Sequence, residues 1–276
     1  MSLAEIAALN VRYEILYDGF GRTGSDGCTS FALTPEKTGG PPLLGQNWDW
    51  IPGVKGALVA TRGEVNVLGF TEAGIFGPKL GLNSAGLELV ISGLASTNDD
   101  WSRLGVPFHA RCFDMLRGPT LDAAARAEPR GCSANFLLAR TPAEVRLEVT
   151  PHTVCTPGTE AGALVHANHF SGPAALSDPE RLGSVARQRR LGELFSGDAY
   201  TLEDAQSSLQ DTDNAPDDDD AICRHSDPGA PDCERYATVV SAVIDLSERA
   251  LYISDGPPDG VLYQHIALQA VSGTPA

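Results

Sequence analysis

The order of strand-like and helical segments limits the fold of this sequence more than any other feature. Runs of apolar and β-branched residues, separated by turn residues, predict that strands dominate the first hundred residues. We place these strands at Thr29–Leu33, Leu43–Trp50, Ala57–Thr61 and Glu64–Phe70, with a hairpin over Leu80–Leu94.

Helical signals begin only after these strands, and they come in pairs. Apolar spacing predicts one pair over Pro107–Arg117 and Leu121–Ala127, followed by strands over Ser133–Ala139, Val145–Thr150 and Leu164–Phe170. A capping box at Ser177–Glu180 begins the second pair. Its first helix has the apolar face Leu182, Val185, Ala186, Leu191, Leu194 and Phe195. The second helix fits Leu202–Leu209, and strands over Thr238–Leu246 and Leu251–Ser254 close the chain.

This order is not the strict β-α alternation of a parallel, doubly wound sheet. It favours an α+β fold in which two antiparallel sheets carry helices on their outer faces. A chain of 276 residues can bury one large core, so a single globular unit is enough.

Charge and hydropathy exclude several classes of partner. The chain has 20 basic and 36 acidic residues, for a net charge of −16, which opposes binding to nucleic acid and to anionic membranes. No apolar run reaches the ~18 residues that a membrane span needs. The start, Met1–Glu5, lacks the basic and apolar regions of a secretory signal. We therefore expect a cytoplasmic protein with no nucleic-acid or membrane partner.

The cysteines do not form a recognisable metal-binding or disulfide pattern. No pair has CxxC spacing, and an intracellular chain of this length does not need a disulfide framework. Cys223, His225 and Cys233 match no common zinc spacing, so we predict no metal site.

The tetrapeptide Asp26-Gly27-Cys28-Thr29 carries the clearest chemical signal. Glycine before cysteine lets the backbone turn at little steric cost, and the thiol can then attack the preceding carbonyl in an N-to-S acyl shift. Hydrolysis of that thioester would leave Cys28 as a new N-terminus, with an amine pKa of about 7.7–8.0 and a thiol pKa of about 8.5. One residue would supply both nucleophile and base. The structural alternative is a turn followed by a buried thiol.

Further segments follow Cys28 in an order that is more specific than any one of them. They are Gly45-Gln46-Asn47-Trp48-Asp49, Thr71-Glu72-Ala73-Gly74, Leu82-Asn83-Ser84-Ala85-Gly86, His166-Ala167-Asn168-His169, Ile222-Cys223-Arg224, and Arg235 ahead of Ala237-Thr238. Over about residues 3 to 255, this series resembles the acyl-coenzyme A:6-aminopenicillanic acid acyltransferase family, the C45 peptidase group of N-terminal nucleophile hydrolases.

The resemblance implies an αββα sandwich of two antiparallel sheets between helical layers, and it implies roles for individual residues. Cys28 matches the family nucleophile, exposed by autocatalytic cleavage of the Gly27–Cys28 bond. Asp49 matches the carboxylate that orients the cysteine ammonium, and Asn168 matches the asparagine that donates to the oxyanion. Arg235 falls where the family places an arginine near the nucleophile.

Each of these residues also has a structural alternative. Asp49 can be a strand-end turn residue, Asn168 can be a capping or turn residue, and Arg235 can pair with the acidic loop. Glu72 can line the substrate pocket or bind a backbone amide. In a strand, His166 and His169 point to opposite faces, which makes them a poor metal pair.

We therefore expect a pro-segment over residues 1–27, a truncated form of the family's helical region, and a catalytic domain over 28–276. The expected protein is a zymogen that cleaves itself and then cleaves a linear amide of a small molecule through a thioester on Cys28. Its expected partners are that amide or acyl donor and its own cleaved pro-segment. We expect no cofactor, with acyl-coenzyme A as a possible co-substrate. The alternatives are an acyl-coenzyme A-dependent N-acyltransferase without hydrolysis, a non-catalytic small-molecule binding protein, and a thiol enzyme with an internal Cys28 and a histidine base.

Overall fold

The computed structural model describes residues 1–19, 27–100, 102–103, 105–118, 129–140, 143–156, 162–172, 182–213, 220–231 and 235–268. Two antiparallel sheets form its centre. The six-stranded sheet has the order β10 (Ala163–His166), β1 (Thr29–Leu33), β2 (Leu43–Trp50), β11 (Ala237–Asp245), β12 (Ala250–Ser254) and β13 (Gln264–Ala267). The seven-stranded sheet follows chain order: β3 (Gly56–Thr61), β4 (Val67–Glu72), β5 (Leu80–Asn83), β6 (Leu87–Gly93), β7 (Ala134–Arg140), β8 (Ala143–Val149) and β9 (Val154–Cys155).

Helices pack on the outer faces of both sheets. The described helices are α1 (Leu3–Asn10), α2 (Arg12–Gly19), α3 (Pro35–Thr38), α4 (Phe108–Arg117), α5 (Leu182–Leu194) and α6 (Leu202–Leu209). Helix α4 shares an apolar cluster with the seven-stranded sheet, whereas α5 and α6 share one with the six-stranded sheet. The result is the four-layer α+β arrangement that the segment order predicts.

Strand β1 shows why the central strands are apolar on both faces. Phe31 and Leu33 contact the layer of α5 and α6, while Ala32 belongs to the core between the sheets. A strand that is covered on both sides has no solvent face, so its sequence shows no polar alternation. Asp49 is buried near the far end of the neighbouring strand β2 and belongs to the site described below, whereas Asn47 Nδ2 donates to the carbonyls of Leu209 and Ile222 at 2.8 Å.

Gln46 links the two sheets directly. Its Nε2 donates to the carbonyl of Ile91 on β6, and the Ile91 amide donates to Gln46 Oε1 at 3.0 Å. The Gln46 side chain thus bonds to both the carbonyl and the amide of Ile91, as the backbone of a neighbouring strand would. These two hydrogen bonds hold the two sheets together beside the site.

Several sequence predictions need correction or fall outside the description. Strand β10 ends at His166, not at Phe170, because the chain leaves the sheet at Ala167. The fourth strand runs over Val67–Glu72, later than predicted. Val185 was assigned to an apolar face, but it is half exposed. The predicted helix at Leu121–Ala127 and the capping box at Ser177–Glu180 lie outside the described residues. Within the described part of the chain, no helix has the length and apolarity to cross a bilayer.

Candidate active site

Cys28 lies immediately before β1, and the residue before it has no room for a side chain. The thiol residue is buried at the edge of the core between the sheets. A Cβ added to Gly27 would lie 2.6 Å from Arg224 Nη1 and 2.9 Å from both Cβ and Oδ2 of Asp49. Gly27 does not adopt a positive φ, so glycine is required here by close packing and not by an unusual backbone turn.

Asp49 is fully buried at the end of β2 beside Gly27. Thr238 Oγ1 donates to its Oδ1 at 2.7 Å, whereas Oδ2 accepts no hydrogen bond from the described residues. Burial raises the pKa of Asp49 to about 7, and the nearby charges of Arg187 and Arg224 oppose that rise. The carboxyl group therefore holds or gives up a proton near neutral pH, next to the Gly27–Cys28 bond.

Asn168 is buried in the turn after β10, and its side chain is held at both ends. Nδ2 donates to the carbonyl of Gly93 at 3.1 Å, and Arg187 Nη2 donates to Oδ1 at 3.1 Å. The Asn168 backbone amide donates to Ser184 Oγ at 2.6 Å. These contacts fix the direction of the amide group, which an oxyanion donor requires.

Arg187 links two of the segments that the sequence singled out. It is buried on α5, and its Nε donates to Thr29 Oγ1 at 3.2 Å, one residue after Cys28. With its bond to Asn168, this arginine holds the start of β1 and the asparagine together. Sequence reasoning missed it, although buried positions 184, 187, 191 and 195 follow helical spacing.

Two arginines of the C-terminal half, Arg187 and Arg224, act on Asp49 through their charges. Arg224 is buried, its guanidinium carbon lies 5.4 Å from the ring centroid of Tyr236, and its charge acts on Asp49. Arg235 instead donates to the carbonyls of Ala230 and Pro228 at 2.8 and 2.7 Å. The structure thus brings Cys28, Gly27, Asp49 and Arg224 together, while the described contacts of Arg235 stabilise its own loop.

Glu72 lies in the wall of a pocket that Cys28 also lines. Its buried carboxylate receives a hydrogen bond from Lys79 Nζ at 2.5 Å and forms an ion pair with Arg12. Lys79 Nζ in turn lies 3.0 Å from the ring centroid of Trp48. Glu72 therefore positions two cations at the pocket wall.

The rest of the pocket is largely aromatic and apolar. Trp48, Trp50, Tyr13, Phe108 and Ile91 line it, together with Gly93 and His109. Burial, reinforced by the charges of Lys79 and Arg12, holds the pKa of His109 well below its usual range. The histidine is neutral, and its Nδ1 has no hydrogen-bond partner among the described residues.

Residues of the N-terminal segment complete this pocket. Tyr13 stacks on Phe108 with ring centroids 4.5 Å apart, and Glu14 Oε1 accepts the backbone amide of Phe108 at 2.7 Å. Asn10 exchanges hydrogen bonds with the turn after β4, accepting from Phe76 at 2.6 Å and donating to Gly74 at 3.0 Å. Helices α1 and α2 are thus docked on the two-sheet unit.

One protein-family model matches most of the chain. The model described as acyl-coenzyme A:6-aminopenicillanic acid acyl-transferase matches residues 35–258, well over half of the sequence. The chain belongs to this family. The matched span of this acyltransferase family includes Asp49, Glu72, Asn168, Arg187, Arg224 and Arg235, and it begins after Cys28. No curated protein matches the chain.

Solved structures share the acyltransferase-family fold at low sequence identity. An Arg-to-Leu variant of the conjugated bile acid hydrolase from Clostridium perfringens gives a TM-score of 0.60 at 13% identity, covering 88% of this chain and 93% of the hydrolase. A Caenorhabditis elegans ortholog of N-acylethanolamine-hydrolyzing acid amidase gives 0.51 at 15% identity, covering 79% and 93%. These likenesses confirm the N-terminal nucleophile sandwich. Family and fold together indicate an amidohydrolase or acyltransferase of that type.

Proposed function

We propose that this chain is a cysteine N-terminal nucleophile amidohydrolase that cleaves itself before Cys28 and then cleaves a linear amide of a small molecule. The observation that carries the proposal is the packing of Gly27 against Asp49 and Arg224, directly before a buried cysteine that lines a pocket. A peptide bond that serves only as a strand connection does not need a buried carboxyl and a buried guanidinium within contact distance.

The self-cleavage step uses groups that lie at this bond. The Cys28 thiol gives its proton to a base and attacks the Gly27 carbonyl carbon, and the C–N bond breaks as the Cys28 amine leaves. With a pKa of about 7, Asp49 is suited to take the thiol proton and to return one to the amine. Water then hydrolyses the thioester, which releases the Gly27 carboxylate and frees the thiol.

Turnover repeats the same chemistry on a substrate. The free amine of Cys28 accepts the thiol proton, the thiolate attacks the amide carbonyl, and the oxyanion forms in the pocket. Asn168 is our candidate donor to that oxyanion because its amide is fixed between Arg187 and the pocket residue Gly93. The amine product leaves with a proton from Cys28, and water or an acceptor amine takes the acyl group from the thioester.

The pocket lining indicates the kind of acyl group. The aromatic and aliphatic wall of Trp48, Trp50, Ile91 and Phe108 fits an apolar acyl group. The two structural relatives are named for the hydrolysis of conjugated bile acids and of N-acylethanolamines, so we propose an amide of an apolar acid as the substrate.

The cleaved N-terminal segment would remain a partner of the catalytic unit. Arg12 and Tyr13 line the pocket, and the contacts of α2 with Phe108 and Glu72 do not pass through residue 27. Cutting the chain before Cys28 therefore leaves these contacts in place. An acyl-coenzyme A could serve as acyl donor if an amine replaces water in the second step.

A second mechanism has one observation in its favour, because neutral His109 lines the same pocket as Cys28. In that mechanism Cys28 stays internal and the histidine takes the thiol proton. Self-cleavage distinguishes the two mechanisms, since only the first requires a new N-terminus.

Intact-mass spectrometry of purified protein tests the proposal. Wild-type protein should yield a fragment that begins at Cys28, Cys28→Ser should cleave more slowly, and Cys28→Ala should stay whole. Processed wild-type protein should then hydrolyse acyl amides of apolar acids. Folded wild-type protein that stays whole after prolonged incubation would exclude the N-terminal nucleophile mechanism. If that uncut protein still has Cys28-dependent activity, the His109 mechanism is supported, and if it binds ligands without turnover it is a binding protein.

A further inference from the structure

Three side chains with metal-binding atoms meet where the segment after α6 approaches the turn after β12. Cys223 Sγ donates to Asp259 Oδ1 at 3.3 Å, and His225 Nε2 lies 2.8 Å from Asp259 Oδ2. One ligand atom from each residue lies within 4.8 Å of the other two. Cys223 is buried, whereas His225 and Asp259 are exposed, so the cluster is open to solvent on one side.

The backbone holds both segments in place. The Cys223 amide donates to the carbonyl of Asp211 at 2.8 Å. Asp259 lies inside a tight turn that the hydrogen bond from the Val261 amide to the Pro257 carbonyl closes at 3.0 Å. The ligand atoms therefore come from supports that exist before any ion binds, which lowers the entropic cost of binding.

The donor set and the spacing suit zinc. Thiolate, imidazole and carboxylate are the ligands that Zn²⁺ takes in proteins. With bonds of about 2.3 Å to sulfur and about 2.0–2.1 Å to nitrogen and oxygen, tetrahedral ligand atoms lie about 3.3–3.6 Å apart. The Cys223 sulfur lies 3.3 Å from one oxygen of Asp259, and the His225 nitrogen lies 2.8 Å from the other. One ligand atom from each residue lies within 4.8 Å of the other two, so side-chain rotations that close the longest separation by up to about 1.2 Å would bring three ligand atoms into the tetrahedral range.

We propose that Cys223, His225 and Asp259 bind one Zn²⁺ ion, with water as the fourth ligand. On binding, Cys223 releases its thiol proton to solvent and becomes a thiolate ligand. His225 binds through the unprotonated Nε2, and the carboxylate exchanges its hydrogen bonds to the other two residues for a bond to the ion. Three protein ligands with one water position is an established zinc arrangement.

The ion would act on the candidate active site through the chain itself. Its ligands Cys223 and His225 lie on either side of Arg224, whose guanidinium contacts the Gly27 position and whose charge acts on Asp49. Bound zinc would thus fix the segment that presents Arg224. This consequence rests on the proposed function, whereas zinc binding itself does not, so the test measures binding.

The test is calorimetric titration of Zn²⁺ into chelator-treated, reduced full-length protein, for the wild type and for Cys28→Ala, which removes the pocket thiol as a competing ligand. Both should bind one ion per chain. Cys223→Ser, His225→Ala and Asp259→Asn should each weaken binding by at least about tenfold, since each removes one ligand bond. Titration with Co²⁺ should give a thiolate-to-cobalt absorption band that Cys223→Ser abolishes.

Two matched variants serve as controls. His265→Ala removes a histidine whose side chain is 51% exposed, the same as that of His225, and which also pairs with a carboxylate. Cys155→Ser removes a half-buried cysteine on β9. Both should bind zinc like the wild type. Wild-type protein that binds no stoichiometric zinc, or equal binding by His225→Ala and the wild type, would overturn the proposal. Because His225 is exposed, we expect His225→Ala to fold, so this variant tests zinc binding even if Cys223→Ser does not fold.

Discussion

Gly27 is the residue at which the proposed cleavage is most easily disturbed, because a methyl group there would meet Arg224 and Asp49 at 2.6 and 2.9 Å. Overpacking of this kind costs ~1–3 kcal/mol. We expect Gly27→Ala to fold and to cleave at least about tenfold more slowly than the wild type. A time course by mass spectrometry checks this, with Gly40→Ala as control because nothing lies within 4 Å of a Cβ at Gly40. Equal rates for the two variants would contradict the packing argument.

Asn168 separates a catalytic role from a structural one. An oxyanion donor acts on the transition state, so Asn168→Ala should lower kcat by about 10²–10³ with KM nearly unchanged. Asn168→Asp should be worse, because it places a carboxylate where negative charge develops. Steady-state kinetics and melting temperature, measured on the same processed sample, check this prediction. A loss of stability with kcat intact would remove Asn168 from the catalytic residues.

Arg224 and Arg235 can be compared directly, since they are eleven positions apart and the charge of Arg224 acts on Asp49. The Arg224 charge lowers the pKa of Asp49, so Arg224→Met should shift the pH profile of self-cleavage to higher pH and slow the reaction. Arg235→Met removes contacts to Pro228 and Ala230 and should change the melting temperature more than the pH profile. The opposite result would assign the role to Arg235, as the family resemblance implied. Cleavage rates measured over a pH series check both variants.

At the scale of elements, the buried face of α5 and the residue after it serve both the candidate site and the apolar core. Ser184 and Arg187 face the candidate site, while Leu191 and Phe195 pack against the six-stranded sheet. The sequence prediction took only apolar residues as buried and so placed Val185 on the inner face. In the structure Val185 is half exposed. Where a helix supplies polar side chains to a buried site, its buried face is not apolar. The amino-acid composition does not show which turns of the helix carry those polar side chains.

Helix α2 supplies a prediction about the cleaved segment. Tyr13 is buried against Phe108, and truncation of a buried aromatic side chain costs about 3 kcal/mol. We expect Tyr13→Ala to weaken retention of the cleaved segment by about hundredfold or more. Native mass spectrometry of processed protein under dilution checks this, and Ile15→Ala on the same helix is the control because Ile15 is exposed. Equal retention by both variants would show that α2 does not hold the segment.

At the scale of the whole molecule, Glu88 makes stability depend on pH. It is buried, burial and the charge of Asp245 raise its pKa well above the usual range, and neither carboxyl oxygen has a hydrogen-bond partner among the described residues. In the unfolded chain it ionises near pH ~4.3. Its contribution to stability is therefore complete below that pH and is lost as the pH rises toward the folded-state pKa.

Glu88→Gln removes this titration and should flatten the dependence. The free energy of unfolding of the wild type, relative to the variant, should fall by up to about 1.4 kcal/mol per pH unit above pH ~4.3. Urea denaturation of both proteins from pH 5 to pH 9 checks this, and the exposed Glu64→Gln gives the baseline for a Glu-to-Gln change. A constant difference across the series would contradict the assignment.

The layered fold was predictable because its strands are apolar runs bounded by turn residues and its helices keep an apolar spacing, and Leu43–Trp50 and Leu202–Leu209 were placed to the residue. The candidate site was predictable only where local motifs carry it, as at Gly27, Cys28 and Asp49. Arg12 and Lys79 could not be predicted as pocket residues, because lysine and arginine are usually exposed. Here Arg12 pairs with Glu72, and Lys79 lies over the ring of Trp48. Asp259 contacts His225 although the two residues are 34 positions apart in the chain, and short metal-binding motifs do not include so long a separation.

The bond pair between Gln46 and Ile91 has a consequence for selectivity. Ile91 also lines the pocket, so one wall is tied to the opposite sheet by two buried hydrogen bonds. Widening the gap would leave these groups unsatisfied, at about 1–3 kcal/mol for each. We therefore expect the gap between the two sheets beside Cys28 to resist widening when a ligand binds. On the proposed function, amides of acids with flat rings or unbranched chains should then be better substrates than amides of acids that branch next to the scissile carbonyl.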